Sequence, residues 1–118
     1  MVDIPKKAQA VIIGGGVSGC SVAYHLAKAG WTDIVLLERK QLTSGTTWHA
    51  AGLIGQLRGS KNMTNLAKYS AQLYVNLEAE TGVATGMRQV GSISVALTQA
   101  RHEELLRQAT LARILDVE

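Results

Sequence analysis

The chain has 118 residues, 47% hydrophobic and 18% charged, a balance that excludes a disordered polypeptide. The net charge is +3, but the 12 Lys and Arg residues are scattered and aromatics make up only 4%, with no Phe, which argues against a nucleic-acid stripe. No apolar run approaches the ~20 residues that span a bilayer, and the single cysteine, Cys20, excludes an internal disulfide and fits a reducing compartment.

After a polar lead-in at Pro5-Lys6-Lys7, the apolar run Ala10 to Ile13 predicts a strand buried on both faces. It leads into Gly14, Gly16 and Gly19, spaced as G-x-G-x-x-G. A helix is expected from Val17 to Ala29, with Val22, Ala23, Leu26 and Ala27 as small or apolar positions. Lys28 in the last turn and Gly30 after it are stop signals. Trp31-Thr32-Asp33 turns the chain into a second strand, Ile34 to Glu38. Strand, glycine turn, helix, strand and acidic residue, with the acid ~20 residues beyond the glycines, form the dinucleotide-binding βαβ pattern.

Each part has a physical task. Gly14 permits the tight turn out of the strand. Gly16 lets a pyrophosphate approach the backbone, and Gly19 lets the helix pack closely on the sheet. The helix N-terminus presents unpaired N–H groups and a positive dipole end to an anion. Glu38 can accept both ribose hydroxyls of an adenosine and would repel a 2′-phosphate, which argues against NADP. The motif alone leaves FAD and NAD both open.

Residues 39 to 61 form a long connection rich in Gly, Ser and Thr: Thr43-Ser44-Gly45-Thr46-Thr47-Trp48-His49-Ala50-Ala51-Gly52. Such loops are commonly functional. Small residues let backbone approach a planar ring, and hydroxyl and N–H groups can bond its edges. A helix is expected from Met63 to Glu80, capped by Asn62 or Thr64, with Leu66, Tyr69, Leu73 and Leu77 at helical spacing as core positions, and Thr81-Gly82 as its end. Val90 to Leu97 alternates with Gly and Ser and predicts a strand. Thr98 caps a final helix, Gln99 to Ile114, with Leu105, Leu106, Ala109 and Ala112 as its apolar positions. Leu115 to Glu118 resembles the start of another strand. Only two parallel strands are evident where a doubly wound sheet has five or six. The chain is therefore expected to be the N-terminal piece of a larger protein.

Several side chains are expected to do no chemistry. His25 lies mid-helix beside Tyr24, and His102 lies next to Glu103-Glu104; with no partnering cysteine, the three histidines give no zinc set. Cys20 reads as a packing residue rather than a reactive thiol. Glu78 and Glu80 read as a solvated face.

The stretch Ser44-Gly45-Thr46-Thr47-Trp48-His49-Ala50-Ala51-Gly52-Leu53, just beyond Leu36-Leu37-Glu38-Arg39, resembles the dimethylglycine and sarcosine dehydrogenases, flavoproteins of the D-amino-acid-oxidase and glycine-oxidase class. Leu77-Glu78-Ala79-Glu80-Thr81-Gly82 and Gln89-Val90-Gly91-Ser92-Ile93 extend the resemblance over essentially the whole chain, and Gln56-Leu57-Arg58 is more similar to sarcosine dehydrogenase. The resemblance implies an α/β fold: a Rossmann-like FAD-binding βαβ unit with its flavin-attachment loop at residues 1–61, and the start of an α+β substrate domain at 62–118. It implies an enzyme that oxidatively demethylates an N-methylated glycine by hydride transfer to FAD. The imine carbon then leaves as formaldehyde or passes to tetrahydrofolate held by a domain outside this sequence.

The resemblance places Gly14, Gly16, Val17, Ser18, Gly19, Glu38, Arg39, Gly45, Thr46, Thr47, Trp48, His49, Ala50, Ala51, Gly52 and Leu53 against FAD. It makes His49 the residue bonded covalently to the flavin 8α-methyl. Imidazole suits that role as a neutral nucleophile at physiological pH. Substrate-binding groups are expected after Glu118, and the electron acceptor is unidentified. No metal, membrane or nucleic-acid partner is expected. The N-terminus lacks the apolar core of a signal peptide, so the cytoplasm is expected, with the mitochondrial matrix also compatible. Two alternatives stay open: another FAD-dependent amine or amino-acid oxidoreductase, and an NAD-binding or regulatory module without flavin chemistry.

Overall fold

The computed structural model describes residues 5–117. The chain forms two compact units, one ending at Gly52 and the other starting at Leu53.

The first unit holds β1 (Ala10–Ile13), α1 (Val17–Lys28) and β2 (Ile34–Leu37). The strands are parallel and in register from Ala10 opposite Ile34 to Ile13 opposite Leu37. The ladder runs beyond them at both ends. Gln9 N–H donates to the Asp33 carbonyl at 2.9 Å, and Gly14 N–H donates to the Leu37 carbonyl at 2.8 Å. This parallel βαβ crossover unit is the expected Rossmann-like core. α1 packs on both strands. Gly30, at φ +90°, reverses the chain after it, and Gly14, at φ +105°, makes the turn out of β1.

The closest approach is at Gly19. A Cβ built there would stand 1.9 Å from the Gly14 carbonyl oxygen, so no residue with a side chain fits without moving backbone. This is the close helix–strand packing expected of the third glycine.

The expectation that β1 is buried on both faces is corrected. Ala10 and Ile12 are half-buried, whereas Val11 is exposed and Ile13 is 87% exposed. The reason is the layer count. Among the described residues a single helix covers one face of a two-stranded sheet, and the opposite face has no second layer.

The second unit holds α2 (Lys61–Thr81) and α3 (Gln99–Ile114). The cap of α2 is Ser60, whose hydroxyl accepts the Met63 N–H at 3.4 Å, not Asn62 or Thr64. Thr64 has another task. It is fully buried, its hydroxyl accepts the Arg58 N–H at 3.1 Å, and it donates to the Arg58 carbonyl at 3.2 Å. The incoming loop is thereby held against the first turn of α2. Gly82, in the left-handed conformation at φ +71°, ends the helix.

The covered stripe of α2 is Thr64, Ala67, Lys68 and Ala71, at helical spacing. Leu66 and Tyr69, expected as core positions, are exposed; Leu73 and Leu77 are half-buried. Ala71 and Thr64 are the buried side chains among the described residues. Thr98 caps α3 as expected, its hydroxyl accepting the Arg101 N–H at 3.2 Å. On α3, Leu105 and Ala112 are half-buried, while Leu106 and Ala109 are exposed.

Two further strand expectations are corrected. Residues 90–97 are irregular, with Ile93 94% exposed, because no neighbouring segment among the described residues offers a ladder. Leu115 and Asp116 turn instead of extending, with Asp116 at φ +52°. There the Lys68 ammonium of α2 donates to the carbonyls of Leu115 (3.2 Å) and Asp116 and reaches the Asp116 carboxylate at 3.3 Å. A cation on the last carbonyls of a helix complements its dipole and ties the end of α3 to α2. Glu118 lies outside the described residues.

Gly19→Ala is expected to destabilise the full-length protein by at least about 3 kcal/mol, because the clash is with backbone and not with a flexible side chain. Thermal unfolding checks it; an unchanged midpoint would contradict the packing described at this glycine.

Candidate cofactor site

The site is built at the N-terminal end of α1, where the glycine turn, the end of β2 and the loop after it meet. α1 has Gly16 at its N-cap, with no side-chain cap bond from that residue and no acidic residue in the first turn. Its first intrahelical bond runs from Cys20 N–H to the Gly16 carbonyl at 2.9 Å. The N–H groups of Val17, Ser18 and Gly19 therefore have no intrahelical acceptor.

Gly15 is the hub. It is buried, and both of its backbone groups are used. Its N–H donates to Glu38 Oε2 at 2.8 Å. Its carbonyl accepts the Thr43 N–H at 2.8 Å and lies 3.5 Å from the Cys20 thiol. A Cβ here would stand 2.5 Å from Leu42 Cδ2 and 3.1 Å from Glu38 Cβ. Sequence reasoning passed over Gly15 as a variable position of the motif. The signal available was that this position is itself glycine, making three in a row.

Glu38, at the carboxyl end of β2, is held from both sides. Its second oxygen, Oε1, accepts the Lys40 N–H at 3.0 Å. The Gly15 N–H, then the Lys40 N–H, with help from Arg39, hold its carboxyl below the ordinary carboxylate value. It is therefore a fixed anion with lone pairs left to accept further donors.

The loop after β2 returns to the same helix end. Thr46–His49 forms one 3-10 turn, closed by Ala50 N–H to the Thr47 carbonyl at 3.2 Å. Thr47 Oγ1 accepts the Val17 N–H at 2.9 Å. Trp48 is 69% exposed and His49 is exposed, with their ring centroids 4.5 Å apart and tilted by 47°.

Of the sequence-predicted residues, Gly14, Gly16, Val17, Ser18, Gly19, Glu38 and Thr47 come together here. Thr46, Trp48 and His49 stand on the same turn as Thr47. Arg39, Gly45, Ala50, Ala51 and Gly52 are exposed on the flanks. Leu53 begins the second unit.

This donor set fits a dinucleotide. Ser18 and Gly19 offer free N–H groups at a positive helix end for a diphosphate. Glu38 offers a fixed carboxylate for ribose hydroxyls. Exposed, small-residue backbone beside two aromatic rings offers a surface for a planar ring system. Among the described residues no group of three His, Cys, Asp or Glu could hold a metal ion, and no helix is long and apolar enough to cross a membrane.

The sequence matches the family described as FAD dependent oxidoreductase (DAO) over residues 9–118. It is 50% identical to the mitochondrial pyruvate dehydrogenase phosphatase regulatory subunit of Mus musculus over 90% of this chain. It is also 50% identical to mitochondrial dimethylglycine dehydrogenase of Homo sapiens over 88%, and 46% identical to mitochondrial sarcosine dehydrogenase of Mus musculus over 98%. The chain spans 12%, 12% and 13% of those three proteins. The solved L-amino acid deaminase from Proteus vulgaris has the same fold, with a TM-score of 0.84 over 95% of this chain and 26% of that one, at 19% identity.

The Gly15–Glu38 link carries a pH signature. Because the folded carboxyl titrates below its ordinary value of about 4.5, the link stabilises the fold fully above that pH and is lost as pH falls through the lower folded value. Glu38→Gln, which does not titrate, is expected to be less stable than wild type by a constant margin above about pH 4.5, and the margin is expected to close below it. Thermal midpoints of both proteins across this range check it. Parallel curves would show that Glu38 gains nothing from these N–H donors.

Proposed function

Because the chain belongs to the FAD-dependent oxidoreductase family, we propose that it is the FAD-binding and flavin-attaching part of an enzyme that oxidatively demethylates an N-methylated glycine, sarcosine or dimethylglycine. The observation that carries this reading is the fastening of the Trp48-His49 turn to the same helix end that is free to take a diphosphate, through Thr47 and Val17.

FAD, when bound, supplies the hydride acceptor. The chain's own residues hold and orient it. Ser18 and Gly19 N–H groups and the α1 dipole neutralise the diphosphate. Glu38 accepts the ribose hydroxyls. The small-residue backbone of the loop after Glu38 would approach the ring system. His49 would supply an imidazole nitrogen as the nucleophile that tethers the flavin through its 8α-methyl group.

We assign FAD binding and flavin attachment to residues 1–61 and the lead into the substrate region to 62–118, although the compact units part between Gly52 and Leu53. The groups that bind the substrate carboxylate and amine, and any tetrahydrofolate site, are assigned to the rest of the protein. The substrate class rests on the relatives named dimethylglycine and sarcosine dehydrogenase. A second reading, a regulatory subunit of the same fold, draws on the relative of that name.

Acid precipitation of the full-length protein separates the readings. Flavin absorbance is expected to stay in the pellet for wild type and to move entirely to the supernatant for His49→Ala. Release of all flavin from wild type would remove the covalent assignment. A purified protein with no flavin absorbance at all would favour the regulatory reading.

A further inference from the structure

The first turn of α1 is capped from an unusual place. Its N-cap residue, Gly16, has no side chain to offer. The acceptor comes instead from a residue 30 positions away, where Thr47 Oγ1 takes the Val17 N–H at 2.9 Å. The fit is close: a Cβ on Gly16 would stand 3.0 Å from that oxygen, so the hydroxyl rests against a glycine.

A second fastening lies four residues earlier, where Thr43 N–H donates to the Gly15 carbonyl at 2.8 Å. Thr43 sits at φ +63°, a strained conformation for a β-branched residue. The fold tolerates that strain where it brings the loop back onto the glycine turn. Between the two fastenings lie Ser44, Gly45 and Thr46. Two residues beyond Thr47, on the same 3-10 turn, stands His49.

We propose that Thr47 is the positioning residue for His49: its hydroxyl caps α1 and thereby sets the attachment turn at a fixed place relative to the diphosphate end of the cofactor. Capping the helix and docking the loop are then one event. This rests on the reading of His49 as the flavin-attaching residue and extends it to a group that never touches the reacting atoms. The requirement is chemical and narrow. Position 47 needs a short side chain with an acceptor oxygen, so Ser and Asn serve and Val, which has the same shape as Thr, does not.

The test uses the full-length protein, prepared without flavin and then mixed with FAD in air. Acid-stable flavin is followed over time, and amide hydrogen exchange is measured in peptides covering residues 43–50. Thr47→Val is expected to attach flavin about tenfold more slowly, the scale of one lost cap, and to lose protection in those peptides. Thr47→Ser is expected to restore both. Attachment and protection equal to wild type in Thr47→Val would overturn the proposal.

If Thr47→Val does not accumulate as folded protein, Thr47→Ser and Thr47→Asn decide, both expected within about threefold of wild type. A tenfold loss in Thr47→Ser would then overturn it. If wild type itself holds no acid-stable flavin, the covalent reading falls separately. The exchange data then decide the clasp alone: lost protection in Thr47→Val that Thr47→Ser restores supports it, and unchanged protection overturns it.

Discussion

The contact between Gly19 and the Gly14 carbonyl sets the depth at which α1 meets β1, and the rest of the first unit follows from that depth. With no Cβ at position 19 the helix sits directly over the strand end. The N–H groups of its first turn then open onto the edge of the sheet, beside the end of β2. Glu38 reaches the Gly15 N–H only because β2 is in register with β1 and ends one residue before it. Thr47 reaches the Val17 N–H only because the loop turns back at Thr43. A helix terminus is a modest electrostatic device, on the order of 1 kcal/mol per charge placed there. Its value lies in the convergence of chain segments on it, Glu38 and Thr47 through side-chain oxygens and Thr43 through its N–H, by bonds that leave the Ser18 and Gly19 N–H groups available.

The two units differ in what their polar contacts do. In the first, the Gly15 and Val17 N–H groups are bonded by Glu38 and Thr47 side chains, and those of Ser18 and Gly19 have no intrahelical acceptor. In the second, the polar contacts are internal ties: Thr64 on the Arg58 backbone, Lys68 on the end of α3. On α2, Thr64 bonds the incoming loop, while Leu66 and Tyr69 are exposed. Val11 and Ile13 of β1 and Ile93 are likewise exposed among the described residues, and the chain spans about an eighth of the relatives it matches.

What could be read from the sequence was whatever local chemistry decides. The G-x-G-x-x-G turn, the Gly30 stop, the Thr98 cap and the acid closing β2 each follow from a few neighbouring residues, and each stands where expected. What could not be read depends on partners distant in the chain. Val90 to Leu97 has the alternation of a strand, but a strand exists only with a neighbour. β1 has the apolar run of a doubly covered strand, but the second cover is missing among the described residues. Ser60, not Asn62 or Thr64, caps α2, and Thr64 lies within the helix, bonded to the Arg58 backbone. The site was legible in outline for the same reason: the glycines and Glu38 form a local motif. The hub role of Gly15 and the remote cap by Thr47 needed the folded loop.

The most direct measurement is an experimental structure of the full-length protein with FAD bound. The account predicts the diphosphate seated on the Ser18 and Gly19 N–H groups, Thr47 still bonded to the Val17 N–H, and continuous density between the His49 imidazole and the flavin 8α-carbon. A His49 ring directed away from the flavin, with the diphosphate bound elsewhere than at the start of α1, would contradict it.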